Sequence, residues 1–256
     1  MTSRKISKTV VIIIAVVVFG SVALFTTIAV LAHLGRVRTS LAEFDSLQEI
    51  AAAATAVTEI KIEDHREFGT IYLGQLDEEM LNINPDYICW IRIDGTDIDY
   101  PVVRSTDNEK YLNTSFRGEK SITGTVFMDY RIHGDLLEES YDSIIPHIII
   151  YGHNLQQGGI FSDLRKMLND QFLEENNIIR LILNDQYIEY EIFSVRSSSV
   201  EDPAYFLNFE STQAFPRFAN KIEAPLKATQ ILTLSTCMRT GNDDARLIVQ
   251  AYRLMT

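Results

Sequence analysis

Gln230-Ile-Leu-Thr-Leu-Ser-Thr-Cys237 and Arg246-Leu-Ile-Val-Gln-Ala-Tyr252 are the two runs whose pairing decides the fold. β-Branched and aliphatic residues dominate both and no helix-period stripe fits either, so each reads as a strand. Alternation puts Ile231, Thr233, Ser235 and Cys237 on one face of the first strand, with Leu232, Leu234 and Thr236 on the other. Between the runs, Met-Arg-Thr-Gly-Asn-Asp-Asp (238–244) carries the chemistry of a loop. Strands joined by a short loop pair most simply as antiparallel neighbours, which sets Cys237 opposite Arg246 at one end of a sheet. A thiol beside a guanidinium makes poor core and a candidate active site.

Upstream, the two-residue period begins at Asp86 and recurs. Strands are expected at Tyr87–Ile93, Ile98–Arg104, Gly124–Tyr130, His147–His153, Ile178–Leu183 and Tyr187–Arg196, before Gln230–Cys237 and Arg246–Leu254. Turn signals such as Asp94-Gly95, Asn184-Asp185 and Gly241-Asn242 separate most of them. Helical pieces fit at Asn108–Asn113, Phe161–Met167, Asp170–Asn176 and Tyr205–Asn220. Eight strands with helices confined to connections predict a mainly β domain over 86–256, an eight-stranded barrel with peripheral helices.

The region before the barrel has a different character. Residues 1–38 hold five basic side chains (Arg4, Lys5, Lys8, Arg36, Arg38) and no acid, whereas 39–256 hold 18 basic and 35 acidic ones, a net of −17. Val10 to Ala32 carries no charged residue and, as a helix, is roughly 35 Å long, enough to cross a ~30 Å hydrocarbon core. A cleaved signal peptide has a shorter apolar region, about 7–15 residues, and a small-x-small site, which is absent here. The reading is therefore a basic cytoplasmic tail at 1–8, a single-pass transmembrane anchor at 9–35 with the catalytic part outside, and a helical stalk at 36–85. Within the stalk, Leu41, Phe44, Leu47, Ile50, Ala54 and Val57 recur at helical spacing, a charged linker follows at Lys61–Glu67, and a second stripe (Leu73, Leu76, Met80) stops at Asn84-Pro85.

The acidic body argues against nucleic-acid binding. Two cysteines, Cys89 and Cys237, lie outside any zinc-ligand spacing. Cys89, between Ile88 and Trp90, reads as a small buried hydrophobe, with a disulfide to Cys237 as the alternative. No metal or cofactor is expected, and the acidic clusters Asp77-Glu78-Glu79 and Glu138-Glu139 read as solvated surface.

His147-Ile-Ile-Ile-Tyr-Gly-His153 ends an apolar strand before the loop opened by Asn154, so His153, Cys237 and Arg246 all stand where a strand meets a loop. A thiolate attacks, an imidazole supplies or accepts its proton, and a fixed guanidinium stabilises oxyanion charge: together these are an acyl-transfer set. Taken singly, each residue has a plainer reading. His153 could be a satisfied structural histidine, Cys237 core, and Arg246 a surface cation or partner of Asp243 or Asp244. His33, His65, His133 and His147 are left to such plain readings. Papain-like order, the caspase signature, H-E-x-x-H, the P-loop and G-x-S-x-G are all missing.

Thr233-Leu-Ser-Thr-Cys237 with Arg246 nine residues on resembles the signature of class B sortases, membrane-anchored transpeptidases of Gram-positive bacteria. Tyr151-Gly-His-Asn154, Trp90 to Val103 (WIRIDGTDIDYPVV), Asp107-Asn-Glu-Lys-Tyr-Leu-Asn113 and Gly124-Thr-Val-Phe-Met-Asp-Tyr-Arg131 carry the same resemblance, which covers about 70–256. It implies a sortase-like barrel in which Cys237 attacks the threonyl carbonyl of a C-terminal sorting signal. His153 would serve the leaving and incoming amines, and Arg246 would hold substrate and oxyanion. Asn108, Leu112, Tyr151, Tyr205, Phe206 and Ser235 would bind substrate; ordinary barrel packing is the alternative for each. Implied partners are surface proteins bearing the signal and an amine acceptor on peptidoglycan precursor or, in pilus-building relatives, a pilin lysine. A purely hydrolytic membrane-tethered cysteine peptidase, and a non-enzymatic tether on a degenerate barrel, are the competing functions.

Overall fold

The computed structural model describes residues 8–62, 73–136, 144–156, 158–184, 186–209, 214–238 and 243–255. Its strands are β1 (Tyr87–Ile93), β2 (Asp99–Val103), β3 (Val126–Met128), β4 (His147–Tyr151), β5 (Ile178–Leu183), β6 (Gln186–Ser199), β7 (Ile231–Cys237) and β8 (Ala245–Arg253). They close into a barrel in the order β1-β2-β3-β4-β7-β8-β6-β5, with β5 returning to β1. The eight expected strands are all present, and closure leaves the sheet without a free edge. β3 is shorter than the expected Gly124–Tyr130, covering only the apolar Val126–Met128. β6 continues past Arg196 to Ser199, because β8 pairs with it as far as Ser199↔Ala245.

Six of the eight pairings are antiparallel; β2–β3 and β4–β7 are parallel. A parallel pair cannot be joined by a tight turn, so β4 and β7 are separated in sequence by the β5–β6 hairpin and the long connection after it. β7 shows no alternation of exposure, being buried from Ile231 to Thr236. Leu232 and Leu234 enter the barrel core with Trp90, Ile148, Ile150 and Val249. The other face lies beneath the β6–β7 connection: Ile231 packs with Phe218, and Ser235 bonds Tyr205.

That connection departs from expectation. In place of a helix over Tyr205–Asn220, a 3₁₀ turn at Pro203–Tyr205 is capped by Asp202, whose carboxylate accepts from the Ala204 N–H at 2.8 Å. Among the described residues, helix α4 spans Ala214–Lys221. Phe206 is extended (φ −72°, ψ 128°). Its carbonyl accepts from His147 Nδ1 at 2.8 Å. Its ring, with that of Phe209, packs on Phe218 at centroid distances of 5.9 and 5.5 Å. A buried hydrogen bond and an aromatic cluster override local helix propensity. The other three helical pieces appear as 3₁₀ turns at Lys110–Leu112 and Ser162–Leu168 and as α3 (Asp170–Glu175), whose cap Asn169 accepts from the Phe172 N–H.

Helix α1 (Lys8–Ile62) is continuous across the expected anchor–stalk boundary at 35/36. Its apolar half is exposed, while Phe44, Leu47, Ala51 and Ala54 join the barrel's own core cluster. Phe44 meets Tyr100 edge-on at 5.1 Å, and Gln48 Nε2 donates to the Asp99 carbonyl at 2.9 Å. Through these contacts the Phe44–Ala54 stretch of α1 covers β2. The Val57 side chain and most of the predicted linker lie outside the described residues. Leu47 is fully buried, so Leu47→Ala should cost roughly 3 kcal/mol through lost burial plus a cavity. Thermal unfolding of the detergent-solubilised chain, compared with wild type, measures it.

Helix α2 (Leu73–Ile83) packs Leu76 and Met80 into the core and ends before Asn84-Pro85. Here the reading of Asp77 as solvated surface is wrong. Asp77 is 5% exposed and accepts from Tyr87 Oη at 2.8 Å and the Asn184 N–H at 2.5 Å, with burial raising its pKa above the usual carboxylate value. Glu138-Glu139 lies outside the described residues.

Candidate active site

Register brings the sequence-distant groups together. β4 and β7 run in parallel with His147↔Ile231 through Tyr151↔Ser235, and the alignment continues past the strand end. The Gly152 N–H donates to the Ser235 carbonyl at 3.2 Å, and Thr236 Oγ1 donates to the Gly152 carbonyl at 2.6 Å. His153, the next residue, therefore comes alongside Cys237. On the far side, β7 pairs with β8 so that Cys237↔Arg246 is the terminal pair. Three adjacent strands thus end in imidazole, thiol and guanidinium on one rim. Asn154 adds a cross-tie, its Nδ2 donating to the Cys237 carbonyl at 2.8 Å.

Gly152 is required where it stands: a Cβ there would lie 2.7 Å from the Phe161 ring. His153 is half-buried, and its Nε2 lies 2.8 Å from the Leu112 carbonyl. A carbonyl oxygen can only accept, so Nε2 carries the proton in the neutral ring and Nδ1 is left to exchange one with substrate. Arg246 donates through Nη1 to the Asp243 carbonyl at 2.5 Å and to the Ala245 carbonyl at 3.0 Å, a backbone tether. Cys237 is exposed, whereas Cys89 is a free, fully buried thiol whose pKa burial pushes far up. The two are not bridged.

A cleft of about 400 Å³ opens on this rim, lined by His153, Cys237 and Arg246 together with Asn108, Leu112, Tyr151, Tyr205 and Ser235. Phe206 is not among its walls. It lines an adjoining cavity of about 570 Å³ with Phe218, Arg217 and Lys221, because its ring is claimed by the aromatic cluster. Phe127, Gly152, Val200 and Thr236 line the cleft without having been singled out from the sequence. Asp129 was missed as well. It sits behind the wall, fully buried, accepting from Tyr151 Oη at 2.9 Å, Asn108 Nδ2 at 3.0 Å and Arg131 Nη2 at 2.7 Å. Burial alone would raise its pKa, but those hydrogen bonds outweigh it and hold the carboxyl below the usual range. Tyr151 stacks nearly parallel to Tyr205 at 6.4 Å, and Tyr205 Oη meets Ser235 Oγ at 2.7 Å. Among the described residues, no three His, Cys, Asp or Glu gather as a metal site.

His147 anchors the connection that carries Tyr205. Its Nδ1 donates to the Phe206 carbonyl, so its Nε2 must accept from Thr233 Oγ1 at 2.8 Å, and Thr233 accepts in turn from Gln250 Nε2 at 3.2 Å. Burial lowers its pKa to about 4 from the ordinary 6.5. The unfolded chain therefore takes up this proton before the folded one does, and stability falls as pH drops from 6.5 towards 4. By pH 5 the loss is roughly 2 kcal/mol. The melting temperature of wild type should fall more between pH 7.5 and pH 5 than that of His147→Asn; equal slopes would show that His147 carries no such linkage.

A family model described as "Sortase domain" matches residues 91–254. Sortase B of Listeria monocytogenes is 30% identical over 190 residues, 69% of this chain and 74% of its own length. Sortase B of Staphylococcus aureus is 28% identical over 189, covering 70% and 74%. Among solved structures, Clostridium perfringens sortase B superposes with a TM-score of 0.61 at 29% identity, over 70% of this chain and 100% of that one. The Staphylococcus aureus sortase B–substrate complex gives a TM-score of 0.67 at 25% identity, over 86% and 98%. The match spans the barrel from within β1 to the end of β8, and on it the chain belongs to the sortase family, in class B, as a cysteine transpeptidase.

Proposed function

We propose that this enzyme cleaves a C-terminal sorting signal after threonine and transfers the upstream protein to an amine of a cell-wall precursor. Cys237 gives its thiol proton to His153 Nδ1 and, as thiolate, adds to the threonyl carbonyl while Arg246 holds the oxyanion. The C–N bond then breaks as His153, through Nδ1, protonates the departing amine, leaving a thioacyl-enzyme. An incoming amine attacks the thioester, His153 takes its proton, and the new amide leaves as Cys237 is restored. Asn108, Leu112, Tyr151, Tyr205 and Ser235 form the peptide-binding walls, with Phe206 acting from the adjoining cavity. The reading rests above all on the convergence of imidazole, thiol and guanidinium on one peptide-sized cleft.

The described residues contain one helix long and apolar enough to cross a membrane, near the N-terminus. Basic residues ahead of it favour a cytoplasmic N-terminus and an outward-facing barrel, where surface proteins and wall precursor meet. Intact-mass analysis with a sorting-signal peptide tests the proposal. Wild type should gain the mass of the acyl fragment and Cys237→Ala should not. Adding an acceptor amine should shift product from free acid to amide; product that stays free acid would make the enzyme a hydrolase. A pilin lysine accepted in preference to a wall-type amine would make it a pilin polymerase.

A further inference from the structure

We infer that Asp129 is a positioning residue that sets the hydrogen-bonding polarity of the cleft wall, so that Asn108 and Tyr151 together receive a carboxamide of the substrate. The inference rests on the proposed peptide substrate and goes one step further, to what the wall recognises. Asp129 is 0% exposed, and both its oxygens are in use: Oδ1 accepts from the Arg131 N–H at 3.0 Å and Nε at 2.8 Å, while Oδ2 accepts from Arg131 Nη2, Asn108 Nδ2 and Tyr151 Oη. Five donors on one buried carboxylate are more than an ion pair with Arg131 needs. Two of them belong to side chains that line the cleft.

Their chemistry follows from that oxygen. Asn108 Oδ1 accepts from the Tyr130 N–H at 3.0 Å while Nδ2 faces the carboxylate. A reversed amide would set oxygen against oxygen and N–H against N–H, so the orientation is fixed and the second Nδ2–H is left to donate. Tyr151 spends its only proton on Asp129, so its oxygen can only accept from a ligand. Because both bond the same Oδ2, the donor and the acceptor lie no farther apart than two hydrogen bonds laid end to end. That spacing suits the C=O and syn N–H on one edge of a side-chain carboxamide; in a trans peptide unit the two point to opposite sides and could not meet both groups.

Asp129→Asn keeps the shape but introduces an NH₂ among donors, which frees Asn108 and Tyr151 to turn. With the full-length enzyme and a sorting-signal peptide, KM should rise about tenfold while kcat and the rate and pH profile of Cys237 alkylation stay near wild type. A merely structural fault would instead lower the alkylation rate and kcat. Tyr151→Phe should produce a similar KM defect that does not add to that of Asp129→Asn in the double variant. If Asp129→Asn fails to fold, substrates answer the same question. Replacing the peptide's carboxamide side chains one at a time by carboxylates should reveal one group whose loss hurts wild type but not Tyr151→Phe. Unchanged KM in folded Asp129→Asn, additive effects, or equal sensitivity of wild type and Tyr151→Phe at every position would overturn the inference with the proposed function intact. Failure of wild type to acylate on any such peptide would overturn both.

Discussion

Cys237→Ala should abolish thioacyl formation and cut turnover by at least about 10⁴-fold, since removing a nucleophile from a cooperating catalytic set costs about as much as removing the set. The same change should leave the melting temperature almost where it was. Cys237 is exposed at the last position of β7, so its truncation opens no cavity of the kind that makes core substitutions expensive. The contrast with Cys89 sharpens the test. That thiol is fully buried, and burial pushes its pKa far above the usual value, so it offers almost no thiolate. Native wild-type enzyme treated with an alkylating agent should therefore take one adduct and Cys237→Ala none. An adduct on the variant, or turnover within tenfold of wild type, would remove Cys237 from the nucleophile's role. Activity, adduct count and melting curve together separate loss of chemistry from loss of fold.

The parts of the molecule legible in its sequence are those whose cause is local. Period-two runs bounded by Asp-Gly, Asn-Asp and Gly-Asn turns located all eight strands. The short loop between Cys237 and Arg246 made their pairing the simplest one, and the terminal pair of β7–β8 is that pair. His153 could be named from its motif but not placed, since its approach to Cys237 depends on a parallel pairing between residues 84 positions apart, such as Tyr151↔Ser235. The misreadings share one physical origin: a partner far away in the chain. Phe206 reads as helix until the His147 ring, 59 residues before it, takes its carbonyl. Asp77 reads as surface until the Asn184 N–H, 107 residues on, reaches its carboxylate. Asp129 sits in a run whose following arginine suggests a local ion pair. Its connection to Asn108 and Tyr151, 21 and 22 residues away on either side, appears only when β3 and β4 are laid together.

Arg246→Ala should lower kcat by about 10² to 10³ with a smaller rise in KM, the cost of losing one charged donor to an oxyanion. Under the proposed mechanism the asymmetry follows from when the charge appears: the scissile carbonyl would be neutral on binding and carry full negative charge only after Cys237 adds. A group serving that charge contributes to the barrier more than to affinity. Arg246→Lys should recover only part of the loss. Nη1 is tied to the Asp243 and Ala245 carbonyls, which holds the guanidinium plane in place at the cleft that Arg246 lines. A lysine ammonium has three donors on one atom, so meeting those carbonyls would draw its charge away from the cleft. The melting temperature should move little in either variant, because Arg246 is half-exposed at a strand end and, among the described residues, its hydrogen bonds go to nearby backbone. Single-turnover acylation measured for all three forms decides the matter. An Arg246→Ala enzyme that acylates at the wild-type rate but binds peptide poorly would make Arg246 a substrate clamp, and the oxyanion would then need its stabilising donors from elsewhere on the rim.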